Sequence, residues 1–258
     1  MKDFPACVRR ARENEREERT MKETLTQGDL RRIAEIVVRK DEDDSRRPDL
    51  SRIHVGTGRI VATDSKIILQ IERDDVLPQA CDKEANPSIL GFFDKPYNNV
   101  RLDVPLDPAT LKETMEPVIR AMKDEEQKAR GELEEEWRRH SAKCPHCGFD
   151  VSVKEERFGY SLIGDPSEME LDMKYTHVCL MPENGTRWRA YLNFVQLARM
   201  FYIADLLGDW NEAGFEFMQE PKPECGRVLF RGTGWQMVML GYVFDIEGVR
   251  KVQIGGAV

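Results

Sequence analysis

Along the first third of the chain the apolar positions follow two rhythms in succession. Leu30, Ile33, Ala34 and Val37 recur at i, i+3, i+4 and i+7, which sets one face of a helix beginning near Thr26 against a core. Arg31, Arg32, Arg39 and Lys40 fall mostly on its other faces. After the polar stretch Asp41 to Pro48 the period shortens to two. Ile53 and Val55 lead to the turn Gly56-Thr57-Gly58, Ile60 to Thr63 return, and Asp64-Ser65 turns again before Ile67, Leu69 and Ile71. This alternation predicts a three-stranded β-meander. Pro78, Pro87 and Pro96 mark residues 74–98 as a long connection.

A short strand over Val100 to Val104 precedes a second helix. Asp107 is a good N-cap and Pro108 a good first residue, because a helix leaves its first amides unbonded. Leu111, Met115, Val118 and Met122 form its buried stripe, and Pro117 predicts a kink. From Lys123 to His140 only Ala129, Leu133 and Trp137 keep an apolar line, while Glu134–Arg138 and Glu135–Arg139 pair at i, i+4. That pattern predicts an arm that projects into solvent or lies on a partner. Alternation at Phe149, Val151 and Val153, then at Phe158, Tyr160 and Leu162, predicts a hairpin beyond it.

The last third follows the same order. A strand from Tyr175 to Met181 and another at Trp188 to Tyr191 lead to a third helix. Asn193 caps it, Gln196 stands at the reciprocal capping position, and Phe194, Leu197, Ala198 and Phe201 face the core. Strands follow at Phe215 to Met218, Arg227 to Arg231 and Trp235 to Val243. A helix followed by a meander thus occurs twice, which predicts an α+β fold. Four segments result: a charged arm at 1–24, a first unit at 25–122, an inserted arm and hairpin at 123–165, and a second unit at 166–258. In the first segment, pairs such as Arg9–Glu13 and Glu15–Arg19 leave almost no apolar face.

Composition narrows the function classes. With 258 residues, 40% hydrophobic and 33% charged, the chain can bury a sizeable core without staples. No apolar run approaches bilayer length, and Met1 to Thr20 lacks the apolar centre of a secretory signal, so a cytoplasmic protein with no membrane partner is expected. A net charge of -8 argues against a general basic coat for nucleic acid, though a local basic surface is compatible with it. Walker loops, dinucleotide glycine patterns, His-Glu-x-x-His and nucleophile elbows are all missing from the sequence, so no enzyme is expected.

Of six cysteines, only Cys144 and Cys147 lie close together, in Cys144-Pro145-His146-Cys147-Gly148. Two thiolates separated by two residues can point at one metal, and the glycine permits the tight turn behind them. Zinc is the ion this spacing suits. His140, His146, His177 and Cys179 are candidates to complete four ligands, as is a second copy of the chain. A knuckle without metal is the competing reading, followed by a redox dithiol, which lacks a surrounding βαβ pattern.

Two segments resemble a known family. The run from Arg52 to Asp64, ending Val61-Ala62-Thr63-Asp64, is similar to a segment of small phage-associated proteins related to the bacterial DNA polymerase sliding clamp. The run Tyr191 to Leu197, with Val228-Leu229-Phe230 and Met237 to Leu240, resembles that family's final helix and closing strands. Ser65 stands where a glycine usually follows the Asp, and Gly241 where the family ends in Met-Pro. The resemblance implies sliding-clamp-like half-domains whose helices line one face of a curved sheet and touch DNA phosphates without reading sequence. On that basis Arg31, Arg32, Arg39 and Lys40 are the DNA-binding candidates, with Lys112, Arg120 and Arg199 on the other helices. Replication proteins and a homo-oligomer are the further partners implied, in a chain too short for a three-domain clamp protomer. An interaction adaptor using the arm and the cysteine hairpin is the alternative function.

Overall fold

The computed structural model describes residues 25–38, 48–50, 52–94, 101–143, 150–152, 171–182, 189–218, 226–241 and 246–255. Helix α1 (Gln27–Glu35) starts where the pattern places it. Thr26 Oγ1 accepts from the Asp29 amide, and Asp29 returns a bond from the Thr26 amide at 3.0 Å, closing a capping box. The Thr26 bonds hold the Asp29 carboxyl below its ordinary pKa. Strands β1 (His54–Gly56), β2 (Arg59–Thr63) and β3 (Ile67–Glu72) form the expected meander. Helix α2 (Pro87–Leu90) interrupts the long connection, and β4 (Arg101–Leu106) leads to α3 (Pro108–His140). Helix α3 continues unbroken through Pro117.

Strands β5 (Ser141–Lys143) and β6 (Asp150–Ser152) pair antiparallel, Ser141 opposite Ser152 and Lys143 opposite Asp150. The alternation from Phe149 onward did not reveal the pairing of β6 with a strand upstream of the cysteines, and the second half of the expected hairpin, Phe158 to Leu162, lies outside the described residues. Next come β7 (His177–Pro182), β8 (Ala190–Asn193) and α4 (Phe194–Leu207). The chain closes with β9 (Trp210–Met218), β10 (Gly226–Gly232), β11 (Trp235–Leu240) and β12 (Arg250–Ile254).

A seven-stranded antiparallel sheet runs in the order β1-β2-β3-β11-β10-β9-β4. The two meanders meet edge to edge, with Met237 opposite Leu69 and Trp235 opposite Ile71. A smaller sheet, β12-β7-β8, combines one parallel and one antiparallel pair. The fold is mixed α+β, as the patterning predicts.

On the large sheet Ile60, Ala62, Ile67, Leu69, Ile71, Val228, Phe230, Met237 and Met239 face a common core with α1, α3 and α4. Helix α4 lies centrally against β9, β10 and β11, α1 lies against β2, and α3 lies against β9. Under the end of α4, Trp210 and Phe230 pack with ring centroids 4.4 Å apart. A lesser cluster joins Cys179 and Tyr191 to Ile246 and Val249. Among the described residues, no helix is long and apolar enough to cross a membrane.

Part of the inserted arm rests on the chain's own body. Ala129 is buried, Glu125 pairs with Arg250 on β12, and α3 contacts the turn at Met173–Tyr175. The side chain of Trp137 lies outside the described residues, while Leu133 is half-buried.

Candidate interaction face

Helix α4 is held at both ends and on both flanks. At its start Asn193 Oδ1 accepts from the amides of Val195 and Gln196 at 3.0 and 3.2 Å. Gln196 does not close a reciprocal box, since its Oε1 is buried without a hydrogen-bond partner. At the other end Trp235 Nε1 donates to the Gly208 carbonyl at 2.8 Å, and Gly208 turns the chain with φ of 70°. Arg199 donates to Asp64 Oδ2 at 2.9 Å, and Lys112 on α3 reaches Asp205 Oδ1 at 2.7 Å. Arg199 and Lys112, expected to meet phosphates, are thus engaged by carboxylates of the chain itself.

Phe194, Leu197, Met200, Phe201, Ile203, Ala204 and Leu207 point inward from α4. Its outer side is unlike that of an ordinary solvated helix. Val195 is 43% exposed, Tyr202 56% and Leu206 36%, which accounts for three of the four large exposed hydrophobic residues among those described. Scattered exposed apolar residues are unremarkable, whereas an aligned set at the centre of one face is informative. The i, i+7, i+11 spacing of Val195, Tyr202 and Leu206 is legible in the sequence, but on a helix that is apolar nearly all round periodicity does not tell which apolar side the rest of the chain covers.

Arg31 and Arg32 are exposed on α1, as expected from the first helix's periodicity, and Arg32 lies 3.9 Å from Asp29. Arg120 is exposed on α3. Arg39 and Lys40 lie outside the described residues, as do Cys144 and Cys147 in the six residues joining β5 to β6. Two proposed completions of a zinc site are in the interior. Cys179 packs among Tyr191, Ile246 and Val249, and His177 is buried with Nδ1 2.8 Å from Thr176 Oγ1. Among the described residues, no group of three or more His, Cys, Asp or Glu is placed to hold a metal ion.

On the sheet face opposite the helices, Gln70, Glu72, Arg231 and Gln236 line a shallow depression of about 210 Å³. Small-molecule sites commonly enclose roughly 300–1,000 Å³. Gln70 Nε2 donates to Glu72 there and Arg231 pairs with Glu212, while Gln70 Oε1 is buried without a hydrogen-bond partner.

Comparison with protein-family models, curated proteins and solved structures finds no match to this chain.

Proposed function

We propose that this chain is a non-enzymatic binding protein on a clamp-like scaffold, and that its helical layer docks another protein. The observation carrying this reading is the exposure of Val195, Tyr202 and Leu206 along the central helix while Arg199 and Lys112 are paired with Asp64 and Asp205. A phosphate-binding face needs unpaired cations at its centre. A protein-binding face needs aromatic and aliphatic groups there with charges at its rim, which is the distribution here. A photo-crosslinking residue at position 202 should give one discrete protein adduct, and the same residue at Lys128 on the arm should give none. Equal labelling from both positions would overturn the reading.

The exposure of Arg31 and Arg32 supports a second reading, weak association with DNA and with it a role beside replication proteins. Anisotropy with duplex DNA at low and moderate salt tests it. Binding that weakens steeply with salt, and is lost in an Arg31→Ala, Arg32→Ala variant, would favour DNA; equal binding by the variant would remove these residues from the role.

A further inference from the structure

We infer that the depression on the outer face of the large sheet binds a free α-amino acid, a ligand with an ammonium and a carboxylate on one carbon. This goes beyond the docking reading and concerns the sheet face opposite the helices. Gln70 is only 2% exposed, yet its Oε1 has no hydrogen-bond partner. Its Nε2 donates to Glu72 Oε1 at 2.7 Å, and reversing the amide would set oxygen against that carboxylate. The orphan oxygen is therefore fixed in place, and a buried acceptor without a donor works against folding. Its cross-strand neighbours are Val61, which has no side-chain donor, and Gln236, which leaves it unsatisfied. A donor brought by a ligand would complete it.

The groups around this oxygen sort into two ends. Gln70 Oε1 and the Glu72 carboxylate only accept, so together they suit an ammonium. Arg231 and the Gln236 amide donate, and together they suit a carboxylate. Among the described residues Arg231 is held through Nη1 alone, on Glu212, which leaves Nε and Nη2 for a ligand. Arg231 stands opposite Gln236, and Gln236 opposite Gln70, so the two ends follow one another across three strands about 4.8 Å apart. One acid and one base line the depression, which calls for a ligand whose own charges cancel. A dicarboxylate or a diamine would set one of its ends against a like charge.

Size and backbone agree with a ligand this small. A volume of about 210 Å³ equals roughly seven waters, enough for an amino acid with a short side chain and too little for a nucleotide. Gly232 and Gly234 line the turn side, where they bring no side chain into the space. Beside Arg231 the ladder to β9 is interrupted by a bulge, with Glu212 opposite Arg231 and Trp210 opposite Gly232. Bulges re-aim side chains and recur next to binding and active sites. Gln70 Oε1 is closed off from solvent, so a ligand reaches it with a side-chain rotation at the rim, of a kind common when complexes form.

Calorimetric titration of the full chain with L-alanine and L-serine tests this, with N-acetyl-L-alanine and L-alaninamide as probes that each lack one charged end. At least one of the two amino acids should bind saturably with a Kd of about 1 mM or tighter, and both blocked probes ~10-fold or more weakly. Glu72→Gln and Arg231→Met should each lower the affinity for that amino acid ~10-fold or more. Gln70→Met keeps the side-chain length and removes the orphan oxygen. It should lower affinity ~5-fold or more while leaving the thermal midpoint unchanged or raised, a combination that a merely structural glutamine would not give. Three results would overturn the inference: no saturable binding of either amino acid up to about 20 mM, equal binding of the blocked probes, or an affinity that all three variants leave unchanged.

Discussion

The guanidinium of Arg199 meets Asp64 Oδ2 at 2.9 Å across a separation of 135 residues, bonding the turn between β2 and β3 to the central helix. The other oxygen of Asp64 accepts from the amides of Lys66 and Ile67 at 2.9 and 2.7 Å. One buried carboxylate therefore shapes a turn and positions α4. Asp64→Ala should cost about 2–4 kcal/mol, because it releases two amides and leaves Arg199 unpaired where it is half-buried. Arg199→Ala should cost less, since the turn bonds survive. Denaturant unfolding at unchanged m-value checks both the size and the order.

Ser65, next in the same turn, adopts φ of 74°, a region that strains residues bearing a Cβ. The backbone at this position therefore favours glycine. Ser65→Gly should raise stability by about 0.5–1 kcal/mol, and Ser65→Val should lower it. Thermal unfolding of the pair against wild type measures both signs.

Burial is the main influence on His177 and pushes its pKa below 6.5, against the opposing bond to the Met173 carbonyl, with Lys66 lowering it further. Below pH 6.5 the unfolded chain gains a proton on this group that the folded chain resists. Its contribution to stability is complete above that pH and declines as pH falls towards the folded value. Unfolding measured between roughly pH 7.5 and 5.5 should show this loss, and His177→Gln should flatten the profile in that window.

Cys144 and Cys147 join β5 to β6, whose backbone pairing brings the two ends of their loop together. If their spacing serves zinc, protein purified without chelator should carry about one zinc per chain, and a Cys144→Ser, Cys147→Ser variant should carry none. Metal analysis that finds none in the wild type, with both thiols reactive, would mark the loop as a knuckle without metal.

Local signals made much of the architecture legible in the sequence. The start of α1 near Thr26, the caps Asp107 and Asn193, and the period-two runs of β1 to β3 each depend on residues within a few positions of one another. The exposure of Arg31 and Arg32 followed from the same arithmetic. Strand β12 escaped it, because pairing parallel to β7 depends on a segment that returns after α4 and the second meander. The arm's contact through Glu125 and Arg250 escaped it for the same reason.

What the sequence determined by itself is the class of fold, the starts of the three longer helices and the strands of both meanders, since backbone bonding and side-chain period act at short range. Tertiary structure decided which charges remain available to a partner. Arg199 and Lys112 read as free cations until Asp64 and Asp205 arrive beside them from distant parts of the chain. It also decided that Val195, Tyr202 and Leu206 stay uncovered by the described residues, because exposure depends on what the rest of the chain places over a helix, and among those residues α1 and α3 take the flanks of α4.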